Sequence, residues 1–388
     1  MISIYLHIPF CLKKCIYCDF YSIPYQEYCD SWEHINRKFF DLLNSEITFA
    51  FRNLENQTEV KTIYFGGGTP SIVDVSYLDE ILNHLSKKAY IKSNIEITIE
   101  ANPGTINKEK LLAYKSIGVN RISLGIQSFE DEELKFLGRI HNSSIAVKCI
   151  KDVYEAGFEN LNLDLIFATP IQTVVTWEKT LRKAIEFQPA HISCYNLTIE
   201  PNTPLHDMIR TGRILPLNDD EQAKLYEFTI NFLTASGYDQ YEVSNFARKN
   251  FKCIHNLNYW NHGNYLGFGP SSHSFMNNKR WWNIANLHEY MVKLESGKLP
   301  IAGEEILTEE QLIEEAIFLG LRSEGIDFEK FKKSFKRDFL SDYNISIENL
   351  VNDGYLKIDA HRLCLTPKGY VFCDEICGKL LSKMPKNP

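Results

Sequence analysis

With 388 residues, 44% hydrophobic side chains and a formal net charge of −8, the chain is long enough to bury a large core in two or three domains, and its acidic balance argues against nucleic acid as the main partner. It has no apolar run of the roughly 18 residues that a membrane-spanning helix needs, and no signal peptide is seen before Ile2. Ten cysteines over this length are too sparse for a disulfide framework, so a cytoplasmic protein with reduced thiols is expected.

Ile2–Ile8 reads as a short apolar strand. Directly after it comes Cys11-Leu-Lys-Lys-Cys15-Ile-Tyr-Cys18, a C-x-x-x-C-x-x-C spacing. Electron-transfer iron–sulfur clusters take four cysteines, whereas three thiolates leave one iron with an open coordination position for a substrate or cofactor. Zinc sites usually need four ligands in paired spacing. The next cysteine, Cys29, stands eleven residues on, and zinc and buried free thiols stay as competing readings.

Further β-rich segments follow at residues 60–65, 95–102, 121–128, 161–167 and 191–198. Stretches such as 32–51, 77–88, 108–117 and 177–187 between them are long enough for helices. Alternating β and α elements predict a parallel α/β sheet, and six such units predict an open or partial (β/α)6 barrel. One strand face is apolar: Ile2, Ile4, Leu6 and Ile8, then Ile95, Ile97 and Ile99, then Ile122, Leu124 and Ile126, then Leu161, Leu163 and Leu165. The opposite face carries Tyr5 and His7, then Glu96, Thr98, Glu100 and Asn102, then Arg121, Ser123 and Gln127, then Asn162 and Asp164. A closed barrel fills its interior with branched apolar side chains, so a polar lumen implies an occupant. The three cysteines, the run Gly66-Gly67-Gly68-Thr69-Pro70, Glu100 and Gln127 all fall at strand ends and are expected on one rim. The glycine run admits close backbone approach to a polar ligand; taken alone it fits a tight turn equally well.

Beyond residue 198 a proline-containing stretch, 200–216, leads to a helix at 219–236 and an aromatic, β-rich region ending near 282. A separate module begins near 305. Thr308-Glu-Glu-Gln311 is a capping box, Phe328, Phe331, Phe335 and Phe339 mark a helical stripe, a segment at 346–353 closes at Gly354, two short strands surround Leu356 and Leu363, and a helix follows Pro367. This order resembles a winged-helix unit, but without a strongly basic face a docking or lid role fits better than DNA binding. The expected units are 1–200, 201–300 and 301–388. Cys373 and Cys377, one helical turn apart, are either a metal pair or buried apolar groups, and Trp281-Trp282 either flank a ligand or join the core.

Several blocks together carry a family resemblance. They are Tyr5-Leu-His-Ile-Pro-Phe-Cys11 with Cys15 and Tyr17-Cys18-Asp19-Phe20, Tyr64-Phe65-Gly-Gly-Gly-Thr69-Pro70, Glu100-Ala-Asn-Pro-Gly104, Arg121-Ile-Ser-Leu-Gly-Ile-Gln127-Ser128-Phe129, Leu137-Gly138-Arg139-Ile-His141 and Asn162-Leu163-Asp164-Leu165. From the N-terminus to about residue 290 the chain resembles radical S-adenosylmethionine proteins of the oxygen-independent coproporphyrinogen III oxidase type. The resemblance implies a 4Fe–4S cluster on Cys11, Cys15 and Cys18, with the amino and carboxylate groups of S-adenosylmethionine on the fourth iron. It also implies that Tyr5, Gly67, Gly68, Thr69, Glu100, Gln127, Arg139 and Asp164 line the cofactor site, where reductive cleavage yields methionine and a 5′-deoxyadenosyl radical. Arg139 suits a carboxylate, and the acidic groups suit ribose hydroxyls or an ammonium. Without the family, Asp164 could pair with a lysine, Arg139 could be a surface cation and Glu100 could cap the following turn.

Two functions compete within that resemblance. The oxidases, as the resemblance has it, carry a further cysteine two residues after the third and an extension before the first strand; here Phe20 stands at that position and the first strand begins at Ile2. These features resemble the heme-chaperone branch instead. His255-Asn256-Leu257-Asn258-Tyr259-Trp260, followed by Tyr265 to His273, is similar to that branch's heme-binding segment, with His255 as axial ligand and His273 and Cys253 as lesser candidates. Neutral imidazole binds heme iron and aromatic rings stack on porphyrin, although the residues alone also read as a packed aromatic turn. The expected function is a heme chaperone that binds the cluster, S-adenosylmethionine and heme and delivers heme to an acceptor protein, with an electron donor as a further partner. The alternative is the oxidase, converting two propionates to vinyls. Peripheral membrane association and a homodimer are left open.

Overall fold

Ile2, Ile4, Leu6 and Ile8 of β1 (Ile2–Ile8) are buried, and a strand this apolar needs cover and partners on both sides. A computed structural model, which describes residues 1–27, 31–52, 54 and 58–382, places β1 inside a twelve-stranded sheet. Cys29 lies outside the described residues.

Six βα units run in chain order. β1 continues into the short β2 (Phe10–Cys11), which pairs in parallel with β3 (Ile23–Pro24), and α1 (Trp32–Phe51) follows. Next come β4 (Glu59–Gly67) and α2 (Val75–Ser86), then β5 (Tyr90–Ala101) and α3 (Lys108–Ser116). β6 (Arg121–Gln127) leads to the short α4 (Asp131–Phe136) and α5 (Ser143–Glu155). β7 (Asn160–Phe167), α6 (Val174–Glu186) and β8 (His191–Asn196) complete the series. β1, β4, β5, β6, β7 and β8 lie side by side in that order, all parallel, as β/α alternation requires. The apolar strand faces join Phe39, Phe40, Leu43, Ile81, Leu85, Leu111, Ile150 and Trp177 from the helices in one core.

The stretch after β8 forms the short α7 (Pro204–Arg210) and α8 (Asp219–Ala235). The chain then adds strands to both edges of the same sheet. β9 (Asp239–Gln240) and β10 (Asn245–Ala247) extend the β8 edge antiparallel. After α9 (Ile254–Trp260), β11 (Tyr265–Phe268) inserts as a seventh parallel strand beside β1, with Ser3 opposite Tyr265 and Leu6 opposite Phe268. β12 (His273–Met276), β13 (Lys279–Asn283) and, beyond α10 (Leu287–Glu295), β14 (Ile301–Ile306) continue outward antiparallel. β11 is too short for its periodicity to have marked it as a parallel strand; its partner strand lies at the other end of the sequence.

The C-terminal module has its own core. The capping box forms at Thr308 and Gln311, opening α11 (Glu309–Leu321). The single phenylalanine stripe expected at 328–339 is instead two helices after β15 (Ile326–Asp327). α12 (Phe328–Phe335) ends at Lys336, which is left-handed with φ 56°, and Asp338 caps α13 (Phe339–Asn352). β16 (Leu356–Asp359) and β17 (Arg362–Leu365) pair with β15 in a three-stranded sheet, followed by α14 (Pro367–Val371) and α15 (Cys373–Leu381). The order is thus helix–strand–helix–helix–strand–strand followed by two helices, with β15 and the break at Lys336 additions to the order expected from the sequence. Cys373 and Cys377 are buried among Ile376, Leu380 and Phe331, the apolar role of the two weighed for them. Among the described residues no helix is long and apolar enough to cross a membrane.

Candidate functional site

Glycine brings the cysteine loop and the end of β4 into contact. The Gly68 amide donates to the Ile8 carbonyl at 2.8 Å and the Thr69 amide to the Phe10 carbonyl at 2.8 Å. A Cβ on Gly68 would lie 2.7 Å from the Phe10 oxygen, and Gly67, at φ +115°, would place one 2.8 Å from the His7 ring. Only glycine tolerates both demands. The three amides of Gly67, Gly68 and Thr69 are therefore engaged within the protein, Gly67 with Glu100 at 3.2 Å, rather than free for a ligand headgroup as the sequence suggested. The residues still form part of a cavity wall.

Cys11, Cys15 and Cys18 are free thiols on that wall. Cys11 Sγ lies 3.4 Å from Thr69 Oγ1, and Arg139 Nη1 donates to Cys15 Sγ at 3.2 Å. Burial pushes the Cys11 thiol up, and the Cys18 thiol up to about 11. Among the described residues no three His, Cys, Asp or Glu side chains converge closely enough for a single metal ion.

The cavity measures about 530 Å³. It gathers Gly67, Gly68, Thr69, Glu100, Gln127, Arg139 and Asp164 beside the three cysteines, which is the expected set except for Tyr5. Tyr5 lines the neighbouring cavity, donating or accepting with His7 Nδ1 at 3.2 Å and stacking on Tyr64. Sequence reasoning left out Tyr64, Asn102, Ser123 and Tyr195 as wall residues. The period-two lumen face already marked Asn102 and Ser123 as inward; Tyr64 and Tyr195 carried no comparable signal.

Glu100 accepts from Tyr64 Oη at 2.9 Å. Burial, reinforced by Asp164, raises its carboxyl to about 7. Among the described residues Asp164 pairs with no lysine: it accepts from Ser123 Oγ at 2.9 Å and Asn162 Nδ2 at 2.8 Å, and burial raises it as well. Arg139, just past α4, is no surface cation. It donates to the Gly125 carbonyl at 2.9 Å and to Asn102, while its Nε is buried without a hydrogen-bond partner among the described residues. Gln127 ends β6 in the left-handed region at φ 66°, where the ladder to β7 slips between Gly125 and Gln127. A non-glycine residue held there costs about 1–3 kcal/mol and tends to mark a functional site. Two mutually repelling carboxyls suit a cationic group, and an orphaned guanidinium nitrogen suits a carboxylate. An amino acid sulfonium such as S-adenosylmethionine carries both charges, so the donor set fits it.

A second cavity, about 1030 Å³, adjoins the first. Asp19 and Phe20, directly behind the third cysteine, line both, and Phe20 is 68% exposed. The HNxxYW segment forms α9, not a turn. Glu96 of β5 anchors its start, accepting the amides of Ile254 at 3.0 Å and His255 at 2.9 Å. His255 is fully buried, with Nδ1 2.7 Å from Thr62 Oγ1, Nε2 2.8 Å from Tyr259 Oη and the ring stacked on Tyr64 at 4.9 Å. Burial, then the Arg121 guanidinium, lowers it to about 3. The imidazole is neutral, as a heme ligand must be, but both nitrogens are engaged behind the cavity wall. Tyr259 is the residue of the segment that reaches the cavity. Cys253 is buried, its Sγ 3.5 Å from Glu96. The tryptophan pair divides: Trp281 packs on the core, while Trp282 lies across Gly303, 2.4 Å from where a Cβ would stand, and faces the cavity with His273 stacked on it at 6.0 Å.

Residues 5–184 match the Radical SAM superfamily and residues 307–372 the HemN C-terminal domain. Two relatives called heme chaperone HemW are alike over nearly the whole chain. The Lactococcus lactis protein is 33% identical, with 98% of this chain and 97% of the relative covered; the Bacillus subtilis protein is 32% identical, with 99% and 100% covered. The chain belongs to the HemW family. Its fold is shared with Escherichia coli coproporphyrinogen III oxidase (HemN), described as a radical SAM enzyme, at a TM-score of 0.84 over 99% of this chain and 90% of that one, with 22% identity. The HemW-family relatives thus extend over the aromatic extension and the C-terminal module as well as the barrel.

Proposed function

We propose that this chain is a radical SAM heme chaperone, which holds a 4Fe–4S cluster on Cys11, Cys15 and Cys18, binds S-adenosylmethionine beside it, carries heme and passes the heme to an acceptor protein. One observation supports this above the others: a polar cavity lined by three thiols shares its Asp19–Phe20 wall with a larger aromatic cavity. The names of the relatives point the same way. When bound, cluster and cofactor supply reductive cleavage to methionine and a 5′-deoxyadenosyl radical, using an electron from a donor. Arg139 Nε holds the cofactor carboxylate, Glu100 and Asp164 offset its positive charge, and Gly67, Gly68, Thr69 and Gln127 shape the wall. A thiolate-held cluster needs a reducing compartment, so the reading includes the cytoplasm.

The test is anaerobic cluster reconstitution followed by two assays on one sample. With S-adenosylmethionine, reductant and coproporphyrinogen III, no fluorescent protoporphyrin product is expected after oxidation; titration with heme should give a stoichiometric complex that releases heme to an apo-hemoprotein. Turnover of the porphyrinogen would replace the chaperone reading with the oxidase one. Absence of heme binding would remove it.

A further inference from the structure

We propose that heme lies in the 1030 Å³ aromatic cavity with its iron on His273, and that His255 positions Tyr259 from behind without touching the iron. This rests on the heme reading above. Four imidazoles stand in or directly behind the cavity, and three are committed. His7 is bound through Nδ1 to Tyr5 and through Nε2 to the Tyr21 carbonyl at 2.8 Å. His255 is held by Thr62 and Tyr259. His262 lies flat on Phe275 at 4.4 Å, and its Nε2, which makes no well-formed hydrogen bond, is buried against the Glu315 carboxylate 2.9 Å away. His273 alone is exposed, and among the described residues its ring nitrogens have no hydrogen-bond partner.

The surroundings suit a porphyrin. The volume is at the top of the roughly 300–1,000 Å³ range of cofactor sites, and Tyr259, Tyr265 and Trp282 give its wall an aromatic character. His273 and Phe275 stand two apart on β12 and therefore share the cavity face. Burial and the Arg280 guanidinium lower the pKa of His273, which keeps a nitrogen lone pair available at neutral pH. Arg280 is already paired with Glu305 at 3.2 Å and Glu315 at 2.7 Å, so it is not free to hold a propionate. A heme held here would adjoin Phe20, two residues from Cys18, on the wall shared with the cluster-bearing cavity.

The experiment titrates hemin into the full-length protein and into His273→Ala and His255→Gln, following the Soret band and the low-temperature EPR spectrum. H273A should lose the histidine-ligated spectrum and bind at least tenfold more weakly, and free imidazole should restore the spectrum by filling the vacated space. H255Q should keep it. Unchanged spectrum and affinity in H273A would overturn the assignment, as would loss of histidine ligation in H255Q with native circular dichroism. If the unaltered protein binds no hemin, the heme reading itself fails, and that outcome is distinct from a failure of His273.

Discussion

The two cavities meet at Asp19 and Phe20 yet are built in different ways. In the first, many wall residues sit at the ends of neighbouring parallel strands, and polar groups are bonded from one strand to the next, Tyr64 of β4 to Glu100 of β5 and Ser123 of β6 to Asp164 of β7. The second joins segments as distant as Tyr5 and Phe318 and offers mostly ring faces, with one uncommitted imidazole. A hydrogen-bonded rim fixes orientation and charge for a small polar ligand. An aromatic trough holds a flat apolar ligand by area and can release it without breaking a polar network, which suits transfer.

The strongest way to break this contrast is to remove a thiol. Cys18→Ala should abolish reconstitution of a 4Fe–4S cluster, seen in iron and sulfide content and in visible absorption, while hemin binding survives; loss of both would mean the cavities are not separable. Next in size, Glu100→Gln should weaken S-adenosylmethionine by about ten- to a hundredfold, the equivalent of the ~1.5–3 kcal/mol carried by a charged hydrogen bond. Its pH dependence sharpens the point. A carboxyl raised to about 7 is largely protonated below that pH, and a cationic ligand needs the ionised form. Affinity measured by anaerobic calorimetry should therefore rise with pH by up to about tenfold per unit below 7 and level off above it, and the glutamine variant should be flat. Trp282→Ala should weaken hemin by about tenfold, from the stacking of roughly 0.5–1.5 kcal/mol and lost area, and leave S-adenosylmethionine affinity unchanged. Smallest is Thr308→Ala, which removes the cap of α11 and should lower the stability of the C-terminal module by about 1 kcal/mol in denaturant unfolding, with both ligands binding as before.

How much of each cavity was legible follows from how it is built. Cys11, Gly67, Glu100, Gln127 and Asp164 lie at or near the ends of strands whose period-two pattern was clear, so the parallel-sheet rule was enough to bring them together. Arg139 is beyond the reach of that rule, because it follows a short helix and enters by folding back over Gly125 and Cys15. Tyr5 obeyed the pattern yet faces the other cavity, since β11 on its far side opens a second space there. In the aromatic segment the motif marked a stretch that meets the second cavity through Tyr259, but not which imidazole is accessible there.

The six alternating βα units, the rim carrying three thiols and the polar lumen were legible in the sequence alone, since each depends on local periodicity and on connections that leave little topological choice. Only the tertiary structure decided that Tyr259 covers His255, that His273 is left free, and that the glycine amides bond the cysteine loop. Those outcomes depend on contacts between residues far apart in the chain, where a hydrogen bond of under 3 Å either forms or does not, and no local pattern encodes it.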